Sequence, residues 1–211
     1  MRRKLVAAGL VVAVAVAGAG VALAITAGAR GSDAAPEVVA TAPGAETPQA
    51  VAASDFCFVE SMIFYRVEAV ELATVLRGMD DVSPPLRAFA DTVVEDDSAE
   101  LDELRERYVA WADARPLEPT DDGACAGHGA HAQMPGMPSL AQRGDLSAAD
   151  GAAGEQLFLA LMIAQNAGVA ALVADTLDVP AHPIVRESAE RALAAGAIRA
   201  RGLAELRDAA P

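Results

Sequence analysis

The chain has 211 residues, with 16 Lys and Arg against 30 Asp and Glu, a formal net charge of -14, and 53% hydrophobic residues. This length fits one folded domain with additional segments. The part from Ser54 onward is slightly more acidic than the whole, since four basic and only three acidic residues precede it. Nucleic-acid binding is not expected, because it requires a cationic face.

The N-terminal segment, residues 1–29, has the composition of a membrane-directed sequence. Three basic residues follow Met1, and Leu5 to Ala29 then carry no charge. About 20 such residues can span a bilayer as a helix, which favours an uncleaved transmembrane anchor. Ala22-Leu23-Ala24 and Ala27-Gly28-Ala29 instead fit the cleavage site of a signal peptide. Both alternatives predict an extracytoplasmic domain, either membrane-anchored or secreted.

Residues 30–53 form an Ala-, Pro- and Thr-rich run without periodicity, which predicts a flexible linker. Export would place the two cysteines, Cys57 and Cys125, in an oxidising compartment. In an oxidising compartment an even number of cysteines is compatible with a disulfide between them. The alternative is two unpaired thiols, one on a helix and one in a loop.

Apolar residues recur at steps of three and four in four segments, and this spacing predicts four amphipathic helices. The first runs from Asp55 to about Met79, and the second begins at Pro84 and ends near Arg115. Ser147 is expected to open the third helix, and Pro183 the fourth, whose apolar stripe includes Leu193 and Ala200. No segment has the pattern of a strand.

These segments predict an all-α domain over residues 54–211, a ferritin-like four-helix bundle built from two helical hairpins. The hairpins span 54–115 and 147–210, and residues 116–146 form the crossover loop between them. Phe58-x3-Met62-Ile63 returns one hundred residues later as Phe158-x3-Met162-Ile163. The hairpin is therefore predicted to be duplicated.

The two copies of Phe-x3-Met-Ile, with Met-Pro-Gly-Met before the second, resemble domain-of-unknown-function family 305. This is a ferritin-like group of exported bacterial proteins, some of which are implicated in copper binding. Family members typically read Met-Ile-x-His-His in each copy, and this chain departs from that pattern at every histidine. The resemblance implies a degenerate family site at Tyr65, Arg66, Asp97, Glu100, Gln165 and Asn166, with Gly196 and Arg199 at the copy-two equivalents of Asp97 and Glu100.

At the family positions only Met62 and Met162 remain as soft metal ligands. Arg66 has no lone pair to offer a metal. Helical spacing suggests that Arg66 could pair with Glu100 or Asp97 and fill the site with a salt bridge. The alternative is that Arg66 reaches solvent from the edge of its helix.

A second candidate metal site lies in the crossover, where Cys, His and Met recur at every third residue from Cys125 to Met137. These side chains can bind copper or another soft transition metal. The alternative is an ordinary exposed crossover, with Cys125 used in a disulfide. The candidate metal ligands are His128, His131, Met134, Met137, Met62 and Met162.

No spacing in the sequence singles out a nucleophile and its base, a di-iron motif or a phosphate loop. We therefore expect a non-catalytic, extracytoplasmic, membrane-tethered domain with a binding or interaction role and no cofactor. Its expected partners are the membrane, through the N-terminal segment, an unknown protein, or further copies of the chain. The alternative function is copper binding or handling through the crossover.

Overall fold

The structure is a computed structural model that describes residues 49–117 and 131–209. The membrane segment predicted over 1–29 and linker residues 30–48 lie outside the described residues. Cys125 and His128 of the crossover lie outside them as well.

The described residues form five α-helices and two short 3-10 turns, and they contain no strand. The all-α class predicted from the sequence is thereby confirmed. The helices are α1 (Ala53–Gly78), α2 (Pro84–Ala110), α3 (Leu140–Ala148), α4 (Gly151–Leu177) and α5 (Pro183–Ala209), and the turns span Ala112–Ala114 and His131–Gln133.

The short helix α3 corrects the prediction that residues 116–146 are a loop. It begins with a capping box, in which the Gln142 backbone N–H donates to Ser139 Oγ at 3.2 Å and the Ser139 N–H donates to Gln142 Oε1 at 2.8 Å. These reciprocal bonds satisfy two donors that a helix start otherwise leaves unpaired. The crossover is therefore helical at its C-terminal end.

Two predicted helix boundaries are also wrong. Ser147 does not open a helix but lies inside α3, and its hydroxyl donates to the Arg143 carbonyl. The chain breaks after α3, where Ala149 is extended and Gly151 takes a φ of 51°, a value that glycine adopts readily. The second helix ends at Ala110 rather than near Arg115, because the backbone tightens into a 3-10 turn there.

The long helices pack in two sequential pairs, α1 with α2 and α4 with α5, and the pairs meet chiefly through α1 and α4. The apolar residues that recur at steps of three and four along the first predicted helix are all buried, namely Phe58, Met62, Tyr65, Ala69, Leu72 and Leu76. Among the described residues α4 is long and apolar enough to cross a membrane, but half of that stretch is buried against other helices. It therefore packs as a core helix here.

The stripe predicted for α5 is partly wrong, since Leu193 and Ala200 are exposed. α5 has a narrow buried face because it packs mainly against α4. That face is made by small and medium side chains, namely Val185, Ala189, Ala192 and Leu203.

The start of α1 is tied to the turn between α4 and α5. Asp55 is buried, and its carboxylate accepts the Ala52 N–H and the His182 N–H, both at 2.8 Å. Two residues later, Cys57 is buried and disulfide-bonded. Its predicted partner, Cys125, lies outside the described residues.

The helix α3 is held on α1 by Arg143, whose Nη1 donates to Glu68 Oε2 at 2.8 Å. The Glu68 side chain is only 3% exposed, and its other oxygen has no hydrogen-bond partner. Burial raises the pKa of Glu68 above its ordinary value, the Arg143 guanidinium opposes this shift, and Glu71 adds to it. The ionised carboxylate is therefore an unfavourable group in the folded chain.

The pH dependence of stability should carry the signature of Glu68. The pKa of Glu68 is higher in the folded chain than in the unfolded chain. Its contribution to the free energy of unfolding is therefore fully present at low pH and is lost as the pH rises through the folded pKa. The unfolding free energy of the wild type relative to Glu68→Gln is expected to fall as the pH rises from about 4, the ordinary pKa of a glutamate, into the neutral range. Urea unfolding of both proteins across this range measures it.

Arg143→Met provides the matched control. Removing the guanidinium should raise the pKa of Glu68 further and enlarge the pH-dependent difference. A difference that is flat, or that grows in favour of the wild type as pH rises, would contradict the assignment to Glu68.

Candidate functional site

Four charged side chains meet where the family site is expected. Arg66 of α1 places its Nε 2.7 Å from Glu100 Oε2 and 3.7 Å from Asp97 Oδ1, both on α2. Arg199 of α5 donates to Asp97 from two nitrogens, at 2.7 and 3.0 Å. We refer to Arg66, Asp97, Glu100 and Arg199 as the ion-pair cluster.

The ion-pair cluster is largely buried and formally neutral. Arg66 and Asp97 are 5% and 1% exposed, and the other two members are partly exposed, Glu100 more than Arg199. Two guanidinium groups balance two carboxylates, and the Asp97–Arg199 pair is bidentate, the geometry in which such pairs are strongest. The hypothesis that Arg66 pairs with Glu100 and Asp97 is confirmed, and the alternative that it reaches solvent is wrong.

Arg199 is the member that sequence reasoning missed. It was recognised only as the copy-two counterpart of Glu100. The available signal was Asp97, an acidic residue inside an apolar stripe, because a buried carboxylate requires a partner. Spacing along one helix could not indicate that the second partner lies on α5.

The remaining positions of the family site are engaged in hydrogen bonds to backbone. The Tyr65 hydroxyl donates to the Pro135 carbonyl at 2.8 Å, and burial raises the pKa of Tyr65 to about 12. Gln165 Nε2 donates to the Tyr65 carbonyl at 3.1 Å. Asn166 Nδ2 donates to the Gly196 carbonyl at 3.2 Å.

The Met-Pro-Gly-Met segment, residues 134–137, is docked tightly on α4. A Cβ atom added at Gly168 would lie 1.9 Å from the Pro135 carbonyl oxygen, and one added at Gly136 would lie 2.1 Å from the Ala164 carbonyl oxygen. Gly136 also has a φ of 77°, which disfavours other residues. Glycine is therefore required on both sides of this contact.

The described candidate metal ligands fall in more than one part of the domain. Met62 and Met162 are fully buried in two different apolar clusters. Met134 and Met137 pack against the cluster that contains Met62. Cys125 and His128 lie outside the described residues, within which no group of three or more His, Cys, Asp or Glu is placed to hold a metal.

His131 lies beside α1 rather than at the family site. Its ring stacks on Phe64 with centroids 3.4 Å apart, and its Nε2 lies 3.8 Å from Glu60 Oε2. Glu60 also accepts a long hydrogen bond of 3.4 Å from the Tyr108 hydroxyl. Sequence reasoning did not single out Glu60, because it reads as an ordinary charged residue of a helix.

The residues at the family site do not fit copper. Arg66 and Arg199 bring positive charge and no lone pair. A pKa of about 12 keeps the Tyr65 phenol protonated at neutral pH, so it is a poor ligand. The amides of Gln165 and Asn166 are already hydrogen-bonded to backbone carbonyls.

Comparison with known proteins identifies the family. The family model Domain of unknown function (DUF305) matches residues 55–205. The chain belongs to this family. The resemblance inferred from the Phe-x3-Met-Ile repeat is thereby confirmed. No curated protein matches the chain.

Three solved structures share the fold. A proposed secreted DUF305 protein from Streptomyces coelicolor has a TM-score of 0.62 and 21% identity, over 73% of this chain and 91% of that one. A DUF305 fragment from Deinococcus radiodurans has a TM-score of 0.63 and 21% identity, over 76% and 99%. CopM in its Cu(II)-bound form has a TM-score of 0.55 and 18% identity, over 73% and 95%. At these identities the similarity shows the fold alone.

Removing Arg66 should destabilise the protein strongly. Arg66→Leu leaves Glu100 without its close partner and weakens the charge balance around Asp97, and breaking a buried pair from one side typically costs about 3 kcal/mol. Thermal and urea unfolding measure this loss.

Arg77→Leu is the matched control, since it removes an equally short pair with Asp91, 2.7 Å, at a surface where the two side chains are 44% and 56% exposed. Its cost should stay below about 1 kcal/mol. If Arg66→Leu and Glu100→Leu both leave the melting temperature unchanged, the ion-pair cluster has no structural role.

The contact at Gly168 predicts a second change in stability. Gly168→Ala forces a Cβ atom into the Pro135 carbonyl, and such overpacking typically costs about 1–3 kcal/mol. Gly144→Ala in α3 is the control, because nothing lies within 4 Å of its added Cβ. Helix propensity should make that variant more stable by up to about 1 kcal/mol. Equal effects of both substitutions would contradict close docking of the segment.

Proposed function

We propose that this protein is a non-catalytic, extracytoplasmic, membrane-tethered domain with a binding or interaction role. The observation that carries the proposal is the ion-pair cluster, in which Arg66 stands where the family pattern has a histidine and is paired with Glu100 and Asp97. In this reading the helices α1, α2, α4 and α5 form the ferritin-like four-helix bundle, and α3 belongs to the crossover between its hairpins.

Location outside the cytoplasm is supported by three observations. The N-terminal segment, residues 1–29, has the length and flanking charge of an export signal or anchor. The relative from Streptomyces coelicolor is described as a proposed secreted protein. Disulfide bonding of Cys57 fits an oxidising compartment.

A binding rather than catalytic role is supported by the state of the polar groups at the family site. General acid–base catalysis needs a side chain within reach of a substrate and able to exchange a proton. Asp97 is held by two guanidinium groups, Tyr65 donates its hydroxyl to a carbonyl, and Gln165 bonds to backbone. These groups are committed to one another and to the backbone.

Copper handling through the crossover is the second candidate function. Its support is the placement of His131, Met134 and Met137 on one short segment, together with the shared fold of Cu(II)-bound CopM. In this proposal His128 would complete the ligand set, and the fully buried Met62 and Met162 would take no part unless the core opened. The packing of Met134 and Met137 against the core favours the first proposal.

A copper titration distinguishes the two functions. The full-length chain is titrated with Cu(I) and Cu(II) in the presence of a competing chelator, beside a variant carrying His128→Ala, His131→Ala, Met134→Ala and Met137→Ala. We expect no tight stoichiometric binding by either protein, because the carboxylates of the ion-pair cluster are paired with guanidinium groups and the methionines are packed.

Tight binding of one copper per chain that disappears in the variant would establish the copper function and overturn the first proposal. The far-ultraviolet circular dichroism of the variant serves as the folding control. Tight binding that persists in the variant would also overturn the first proposal, by locating a metal site elsewhere.

A further inference from the structure

One face of α5 is apolar at its centre and covered by nothing among the described residues. Leu193 and Ile198 are 50% and 64% exposed, and Ala194 and Ala197 between them are exposed as well. Ala194 and Ala197 lie on the side of α5 away from the buried Ala189 and Ala192. Leu193 and Ile198, five residues apart, border this alanine-centred face on its two opposite edges, so a helix packed on the face would cover part of each.

The charges that flank this apolar centre are arranged in reverse order on its two sides. Toward the N-terminus the helix has Glu190 and then Arg186, and toward the C-terminus it has Arg201 and then Glu205. Both sets are equally far from a midpoint between Ala195 and Gly196. When a second copy of the helix runs in the opposite direction, each of these charges therefore lies at the height of an opposite charge.

This order fits a second copy of α5 running antiparallel. A two-fold axis through the midpoint brings Glu190 of one copy to the height of Arg201 of the other, and it does so twice by symmetry. Ala194 then faces Ala197, and these small side chains allow the helices to approach closely. A parallel arrangement would instead set like charges against each other.

Residues 190, 194, 197 and 201 follow steps of four, three and four, so they form one line along the helix. None of the four flanking charges has an ion pair among the described residues, although Arg186 donates a hydrogen bond to the Val179 carbonyl at 3.2 Å. The neighbouring Arg191, by contrast, is paired with Glu187 at 2.9 Å. The line is therefore available to an outside partner.

We propose that the chain forms an antiparallel homodimer through the exposed face of α5, centred between Ala195 and Gly196 and held in register by two Glu190–Arg201 pairs. Charge complementarity sets the orientation, and packing of Ala194 against Ala197, with partial burial of Leu193 and Ile198 at the edges, provides the attraction. This inference goes beyond the proposed function and does not depend on whether the chain binds copper.

Charge reversal at the two paired positions tests the register. Glu190→Arg and Arg201→Glu are made separately in the full-length chain, and self-association is measured by sedimentation equilibrium in a density-matched detergent. Each variant places like charges together twice, so each homodimer should weaken roughly tenfold or more. Glu106→Arg, at an exposed position of α2, makes the same change in net charge as Glu190→Arg but away from this face, and it should not weaken the dimer.

Mixing the two variants is the decisive measurement. The Glu190→Arg chain carries Arg at both positions and the Arg201→Glu chain carries Glu at both, so an antiparallel heterodimer regains two attractive pairs. Association in the mixture, and in the double variant Glu190→Arg/Arg201→Glu, should return to the wild-type level.

A wild-type chain that stays monomeric at all concentrations would overturn the proposal. So would a dimer that is insensitive to both single substitutions, because the N-terminal segment or another face would then carry it. Failure of the mixture to recover association, with both variants folded by circular dichroism, would exclude the antiparallel register.

Discussion

The ion-pair cluster is the interaction on which the arrangement of the helices depends, because it joins three of them at one point. Asp97 is almost fully buried on α2 and is shared by Arg66 of α1 and Arg199 of α5. A packing that separated α2 from α5 would leave this carboxylate buried with an incomplete set of partners, which is strongly unfavourable. Burial of apolar side chains stabilises many ways of packing the helices, whereas the ion-pair cluster is complete only when α1, α2 and α5 are packed as observed.

The Phe-x3-Met-Ile repeat, which predicts a duplicated hairpin, has counterparts that meet in the structure. The apolar frame of both copies is retained, since Phe58, Phe158, Met62 and Met162 are all fully buried. Gln165 bonds to the carbonyl of Tyr65, its counterpart in the first copy, so equivalent positions meet across the α1–α4 interface. A substitution at position 65 or 165 therefore changes the same polar site. The surrounding apolar core need not change with it.

Helical periodicity predicted contacts that follow from spacing along one helix. It did not predict burial or pairing that depends on how a helix packs against its neighbours. The stripe of α1 is buried throughout because helices pack on more than one of its sides, whereas Leu193 is exposed because α5 has fewer neighbours. The pairing of Arg66 with Glu100 was accessible from helical spacing, but that of Arg199 with Asp97 was not. The sequence analysis did not predict α3, although Ser139 and Gln142 have the spacing of a capping box. The segment was interpreted instead as a loop that carries soft metal ligands.

A metal site and an ion-pair cluster place different demands on a protein domain. Histidine ligands must lose a proton to bind metal, so their contribution varies with pH and with metal supply. Guanidinium groups keep their charge throughout the physiological range, and the cluster needs no ligand from outside. Since its groups satisfy one another within the fold, the proposed binding role would use the outer faces of the helices. The face of α5 combines exposed apolar residues with charges that have no partner among the described residues, which makes it the best placed for that role.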